Sequence, residues 1–528
     1  MGYWYDKAII YHIYPLGFCG APQFNNGNET EYRLNKIFSW IPHLKSLNIN
    51  AVYFGPIFES TEHGYDTKDY MQIDKRLGDN NSFKKICHEL HANGMKVILD
   101  GVFNHTGRDF FAFKNIQKNG SASPYCGWFQ NLNFGGESPY KDNFWYEGWN
   151  GHFNLVKLNL RNKQVVEYIF NAISFWIDEF DIDGIRFDTA DCIDFDFFKR
   201  MRWFCKNKKP DFWLVGELIH GDYKRWANPE MLDSCTNYEC YKGLYSSHND
   251  QNYFEIDYSI NRQSGNSGIY KGINLYNFTD NHDVTRLASM LNNKLLLENV
   301  YTLMYTMPGI PSIYYGSEFA AEGTKTNNSD SALRPCLDLQ ELIHTGSKLC
   351  EHLKKLGKIY RLYPELRTGQ YSTVIVRNKQ LIFKKELNKQ TAYIALNLDG
   401  NDYSASFSVE CDMLNDVLND TPIKIENNSV NITIPAFSSM IMVNESAVTA
   451  EITETNSEDI INENEIISGS IYQHYKGSKY RVICIANHSE TMEELVVYQS
   501  VDDNEKILAR PKAIFTDTAN GIKRFSKV

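Results

Sequence analysis

The sequence predicts an α/β protein: a (β/α)₈ barrel with a segment inserted after its third strand, then a β-sandwich and a small C-terminal β module. Three observations carry this. Up to Pro364, apolar β-branched runs alternate eight times with amphipathic helical stretches, the pattern of a closed parallel barrel. After Pro364 the texture changes to short alternating runs separated by turn residues, as in a sandwich. At 528 residues the chain also exceeds one ordinary domain, so a large core with smaller modules is expected.

The strands are expected at Ala8–Tyr14, Ala51–Phe54, Lys96–Asp100, Asp183–Phe187, Phe212–Glu217, Leu232–Thr236, Asn274–Phe278 and Ile310–Tyr315, the sixth carrying the weakest pattern. Between strands three and four, Thr106–Phe153 is rich in Gly, Asn, Ser and aromatics. It reads as a long irregular wall or lid rather than a helix. Helix resumes at Lys163–Glu179. The sandwich strands are expected at Ser372–Val376, Leu381–Lys385, Ala392–Leu396, Ala405–Val409, Val430–Ile434 and Met440–Val443. Ser446–Glu465 is acidic and rich in Asn, Thr and Ser, the composition of a flexible linker. Strand-like runs at Tyr480–Ala486 and Leu495–Gln499 make the last segment a small β module. The expected domains are therefore 1–368 for the barrel, including 106–153, then 369–445 for the sandwich, 446–465 for the linker and 466–528 for the module.

Bulk chemistry narrows the function. Acidic residues outnumber basic ones 65 to 54, a formal charge of −11, which argues against nucleic acid or anionic membrane as partner. The N-terminus has no basic region followed by an apolar run, and no apolar stretch approaches membrane-spanning length. Eleven cysteines without a Cys-x-x-Cys spacing fit reduced thiols, so a cytoplasmic protein is expected. Aromatics make up 14% of the chain, and their flat faces suit both a large core and the apolar face of a sugar ring.

Four strand ends carry the chemistry: Asp100-Gly-Val-Phe-Asn-His105, Gly184-Ile-Arg-Phe-Asp188, Gly216-Glu217 and Phe278-Thr-Asp-Asn-His-Asp283. In a barrel these put Asp188, Glu217 and Asp283 around one mouth with Arg186, His105 and His282. Carboxylates converging in a water-poor cleft resist ionising together, so one stays protonated while a neighbour is held as an anion. Glycosidic cleavage with retention needs that division: an acid for the leaving oxygen and a nucleophile for the anomeric carbon. Arg186 and Asp188, two residues apart on a strand, face the same way, so Arg186 is expected to hold Asp188 ionised. Glu217, with no basic neighbour in its motif, is then the acid.

These four segments resemble the signature regions of the alpha-amylase family of glycoside hydrolases (family 13), in the same order and on the same strands. The resemblance spans residues 3–445 and includes Phe54-Gly-Pro56, His63-Gly-Tyr65-Asp66, Val156-Lys-Leu-Asn159 and Tyr315-Gly-Ser-Glu318. It implies that Asp188 is the nucleophile, Glu217 the general acid/base, and Asp283 the carboxylate that binds the 2- and 3-hydroxyls. His63, Tyr65, Asp66, His105, Arg186 and His282 would bind the same sugar, with Tyr65 stacked beneath it. Asp330 and Arg334, spaced like the family's Asp-x-x-x-Arg pair, would hold the next sugar toward the non-reducing end.

The resemblance also has gaps. Many starch amylases have a Lys-His pair three and four residues after the nucleophile, where this chain has Asp191 and Cys192. A lysine grip on the leaving sugar is thereby lost, along with a His whose backbone often helps hold calcium. Asn104 matches the family's calcium-binding Asn, so Ca²⁺ stays open while the reaction itself needs no cofactor. Thr189 after the nucleophile tends to accompany α-1,4 preference. Val156-Lys-Leu-Asn159 and Glu217-Leu-Ile-His220 are nearest to the neopullulanase and cyclomaltodextrinase branch. That branch commonly dimerises through an N-terminal β-domain, expected to be missing here because the sequence starts almost at strand one. Gly469–Phe525 is similar to a small bacterial domain family of unknown function, its Tyr and His residues read as packing in preference to glycan contacts. The expected activity is cleavage of α-1,4 bonds in maltooligosaccharides or cyclodextrins. Transfer of the sugar to another sugar, or a silent binding protein, are the alternatives, and oligomeric state is left open.

Overall fold

The computed structural model describes residues 2–444, apart from Asn28 and Asn328, and residues 470–527, apart from 489–493, 502–506 and 520–521. Eight parallel strands form the barrel: β1 Ile10–Ile13, β2 Ala51–Phe54, β3 Lys96–Gly101, β4 Gly184–Phe187, β5 Trp213–Gly216, β6 Ser234–Cys235, β7 Tyr276–Phe278 and β8 Ile310–Tyr314. Their order in the sheet is β6-β5-β4-β3-β2-β1-β8-β7, and a parallel bridge between Thr236 and Tyr276 closes the ring. Every residue of these strands except Lys96 is buried, because side chains pointing inward fill the barrel while those pointing outward meet the helices. Ile10, Ala51, Tyr53, Ile98, Trp213, Val215, Tyr276 and Phe278 belong to the filling.

The helix before β4 illustrates how the sequence sets the scaffold. Lys163–Phe180 buries Val165, Val166, Ile169, Ala172, Ile173, Trp176, Ile177 and Phe180, a stripe at helical spacing. Asn162 caps its first turn by accepting from Gln164 N, and Asp181 ends it in the left-handed conformation. The next residues enter β4, so this C-terminus fixes where the Arg186–Asp188 strand begins.

The inserted segment departs from expectation in one respect. It contains a helix, Phe111–Asn119, which buries Ala112, Phe113 and Ile116. It also holds the 3₁₀ turns Gly120–Ala122 and Cys126–Trp128 and borders a three-stranded sheet in the order His105–Gly107, His152–Lys157 and Gly148–Trp149. Asn150 and Gly151, at φ 47° and 81°, make the two-residue turn that returns the chain from Trp149 to His152.

After the barrel, a six-stranded antiparallel sheet (Gln370–Val376, Gln380–Leu387, Gln390–Asn397, Ser439–Val443, Leu414–Asp416, Thr421–Ile423) packs on a three-stranded one (Tyr403–Ser408, Ser429–Ile434, Ile425–Glu426). Tyr393, Phe407, Ile432 and Met442 fill the space between them. Barrel and sandwich lie in one compact unit, 1–447, and 448–528 form a second. The second unit contains a five-stranded antiparallel sheet in the order Ile507–Pro511, Glu494–Ser500, Lys479–Asn487, Ile471–His474 and Phe525–Lys527. Tyr472, Tyr498, Phe515 and Phe525 pack in its core, whereas Tyr475 is exposed. The acidic stretch Ser446–Glu465 lies outside the described residues. Among the described residues no helix is long and apolar enough to cross a membrane.

Candidate active site

Strand register brings the carboxylates together. In β3 and β4, Asp100 pairs with Arg186; in β4 and β5, Phe187 pairs with Gly216. Asp188 and Glu217 each follow directly, so they leave neighbouring strands side by side at the C-terminal mouth. Adjacent strands lie about 4.8 Å apart, close to the roughly 5 Å that a nucleophile and an acid need to flank one anomeric carbon. Backbone bonds fix the pair: Glu217 N donates to Phe187 O (2.9 Å), Ala190 N to Glu217 O (3.1 Å) and Asp188 N to Gly101 O (3.2 Å). Thr189 takes a left-handed φ of 42°, a strained posture for a β-branched residue, and its N–H thereby reaches Glu217 Oε2 at 3.0 Å.

One guanidinium serves three acids: Arg186 meets Asp188 as expected, and it also meets Asp100 and Glu217, whose own motif offered no basic neighbour. Its Nη1 meets Asp100 Oδ1 at 2.8 Å and Asp188 Oδ1 at 3.1 Å, while Nη2 meets Glu217 Oε2 at 2.8 Å. All four side chains are buried. Asp100 also accepts from Tyr53 OH (2.9 Å) and Tyr65 OH (3.1 Å), so its carboxylate is fully engaged. One cation against three anions leaves a deficit. Burial, opposed by Arg186, pushes both Asp188 and Glu217 above the usual carboxylate range, Glu217 adding its charge to Asp188 and Asp283 its charge to Glu217. The pair therefore retains a proton at a pH where isolated carboxyls would have lost theirs. Glu217 Oε2 is occupied by Arg186 and Thr189 N.

Asp283 behaves in the opposite way. Burial alone would raise it, but His282 (3.0 Å), Arg334 (3.1 Å) and Arg186 hold it below the usual range. Arg334 ties this wall together: besides Asp283 it meets Asp330 at 3.1 Å, donates to His282 O at 3.0 Å and lies over the Tyr14 ring. The rings of Tyr14 and Tyr65 lie nearly parallel to that of His282 at 5.7 and 5.6 Å, and Tyr65 OH bonds its Nε2. Asp330 and Arg334 thus form an ion pair directed at Asp283, anchored in the mouth.

On the other flank His105 is buried, with Nε2 at 4.0 Å from Asp188 Oδ2 and without a hydrogen-bond partner among the described residues. Its Nδ1 lies 3.1 Å from Asn104 Nδ2. Burial and the neighbouring His63 pull its pKa down to about 3, so the ring is neutral at working pH. Asn104, the candidate calcium ligand, thus has its amide against His105, and among the described residues no cluster of three His, Cys, Asp or Glu side chains is placed to hold a metal.

Asp66 is a correction. Expected to bind sugar, it is turned into its own loop, accepting from Glu62 N (2.8 Å), His63 N (3.0 Å) and Gly64 N (3.1 Å). It shapes the turn that presents Tyr65, while half-buried His63 lies 3.6 Å from it. Sequence reasoning missed Tyr14, Asp100 and the backbone of Thr189 as contributors. It also missed a cavity of about 20 Å³ beneath the carboxylates, lined by His12, Tyr53, Arg186, Glu217, Tyr238 and His282. Tyr14 and Asp100 stand at the predicted ends of strands one and three, the one signal that would have found them.

Residues 13–347 match the family described as Alpha amylase, catalytic domain, and residues 470–527 match a family described as Protein of unknown function (DUF1653). The chain is 31% identical over 425 residues to a cyclomaltodextrinase of Thermoanaerobacter pseudethanolicus, covering 75% of this chain and 70% of that protein. It is 31% identical over 355 residues to the intracellular maltogenic amylase of Bacillus subtilis, covering 63% and 58%. A solved cyclomaltodextrinase structure superposes with a TM-score of 0.74 at 25% identity, covering 84% of this chain and 78% of that one.

Proposed function

The chain belongs to the alpha-amylase family of glycoside hydrolases, and from that premise we propose that it cleaves α-1,4-glucosidic bonds in maltooligosaccharides and cyclodextrins with retention, through a covalent glycosyl-enzyme. The reading is supported above all by the fork of Arg186 across Asp188 and Glu217 on adjacent strands. A glucosyl unit lies on Tyr65 with its 2- and 3-hydroxyls on Asp283. Glu217 delivers the proton to the interglycosidic oxygen as Asp188 attacks C1, and the bond from C1 to that oxygen breaks. Arg186 offsets the charge on Asp188 until it is consumed in the ester. Glu217, now anionic, takes a proton from water, which attacks C1 and releases Asp188. Both displacements invert C1, so the product keeps the starting anomeric configuration. His105 donates to a hydroxyl of the same sugar, and Arg334 with Asp330 holds the one before it.

The site is cytoplasmic in this reading, in line with the intracellular relative and the reduced-thiol composition. Incubation with maltotriose, maltoheptaose, a cyclodextrin, pullulan and sucrose, with products chromatographed over time, tests it. Glucose and maltose from the maltooligosaccharides and the cyclodextrin are expected; unchanged maltooligosaccharides would overturn it.

A further inference from the structure

The C-terminal unit gathers cations that its packing does not require. Strand pairing sets His474 opposite Phe525, and their rings meet at 4.8 Å. The Arg510 guanidinium lies over the same Phe525 ring at 5.6 Å. Arg510 and Phe525 stand on the two outer strands of the five-stranded sheet, so this contact curls the sheet and brings both edges to one place. Arg524 precedes Phe525, and its carbonyl accepts from Tyr475 N at 3.0 Å. Lys476, in the turn after His474, donates its N–H to His474 Nδ1 at 3.3 Å, which leaves Nε2 as the donor of the neutral ring. Burial, then Arg510, Lys476 and Arg524, hold His474 below its usual pKa, the mark of like charges crowded together. Among the described residues no carboxylate pairs with Arg510, Lys476 or His474. Asp517 lies 3.9 Å from Arg524 Nη2, whereas buried Arg524 Nε has no hydrogen-bond partner among the described residues. Lys479 and Arg481 alternate along their strand with Tyr480 and Val482, which pack in the core, so they stand on the other face of the sheet. The cluster is therefore one compact spot in a chain of net charge −11, and not a track along which a polyanion could run.

We propose that Arg510, Arg524, Lys476 and His474 bind the phosphate of a small phosphorylated ligand, a sugar phosphate or a nucleotide. The exposed ring of Tyr475, 4.5 Å from that of His474, is the face for the group the phosphate carries. Guanidinium N–H groups match phosphate oxygens in pairs, Lys476 adds a point charge, and His474 Nε2 adds a donor that gains a proton once an anion is seated. This site is separate from the proposed function, and neither reading needs the other.

The test is calorimetric titration of the full chain with inorganic phosphate, glucose 6-phosphate and AMP, with glucose and adenosine as uncharged counterparts. Saturable binding of the phosphorylated probes is expected, with glucose 6-phosphate or AMP tighter than inorganic phosphate; the tighter of the two names the source. Arg510→Met should weaken that binding about tenfold or more, as befits the loss of charge-assisted hydrogen bonds. Lys476→Ala, in an exposed turn where the sheet is left intact, should weaken it severalfold, and Lys479→Ala on the other face should leave it unchanged. Three results would overturn the proposal: no phosphorylated probe binding more tightly than about 1 mM, binding that survives both Arg510→Met and Lys476→Ala, or uncharged counterparts binding equally well. Organic phosphates no tighter than inorganic phosphate would overturn the role of Tyr475. A single-stranded oligonucleotide that binds more tightly than all three probes, and loses that binding in Arg510→Met, would overturn the small-ligand reading.

Discussion

Replacing Arg186 with Met removes the single cation shared by Asp100, Asp188 and Glu217 while keeping much of the side-chain volume. The three contacts are 2.8 to 3.1 Å long and fully buried. At an effective dielectric near 20, each opposite charge at about 4 Å between charge centres contributes roughly 4 kcal/mol before desolvation. Breaking a buried pair costs about 3–5 kcal/mol net, which corresponds to roughly two to four pKa units for the group left behind. Asp188 already sits above the usual range because of burial, and losing Arg186 lifts it further. The sign follows: a nucleophile with a raised pKa is protonated over a wider range, so activity is lost on the acid side at higher pH. The acid limb of kcat/KM on maltotriose should therefore move up by about two units, with activity at pH 7 down at least about a hundredfold. Circular dichroism reports whether the variant remains folded. A folded variant whose acid limb coincides with that of the wild type would refute the shared-cation reasoning.

Other expectations follow from the same contacts. Asp188→Asn should lower kcat by at least about 10³-fold while leaving the protein folded, with a urea unfolding midpoint at pH 7 no lower than that of the wild type, since burial opposes the charge it removes. Asp330→Ala, which removes one partner of Arg334, should raise KM for maltotriose about tenfold and leave α-glucosyl fluoride, which has no second sugar, unchanged. At the opposite end of the barrel, Asp183 is buried and held by His91 (2.7 Å), Lys96 (2.9 Å), Lys209 (2.7 Å) and Val97 N (2.9 Å). Burial works against its charge, but these partners hold its pKa well below the usual range. Its stabilisation is full above the unfolded value and lost as pH falls through the folded one, so Asp183→Asn should destabilise by about 3 kcal/mol at pH 7. The gap from wild type, read by urea melts, should shrink as the pH is lowered below about 4.

Features governed by local pattern could be read from the chain. β2 falls at Ala51–Phe54 as expected, and most other barrel strands lie within a residue or two of their predicted bounds. β6 was faint because it is short: two residues, one partner strand and a single bridge on its other side. Helix Phe111–Asn119 was hidden because its buried stripe of Ala112, Phe113 and Ile116 is short and lies among turn-forming residues. In the site, carboxylates at strand ends announce themselves, whereas the sharing of Arg186 depends on the register of three strands that are far apart in sequence. Asp66 sits in a sugar-binding motif, yet only its geometry reveals that it caps backbone N–H groups. The left-handed Thr189, which hands its N–H to the acid, has no marker in its residue type.

The division of labour between the two carboxylates is tested most directly by trapping the intermediate. Glu217→Gln incubated with α-glucosyl fluoride can still lose fluoride without an acid, yet has no base to activate water, so the glycosyl-enzyme accumulates. Peptide mass spectrometry should then find one hexosyl group on Asp188. An unmodified Asp188 in an enzyme that releases fluoride, or the sugar on another residue, would contradict the account.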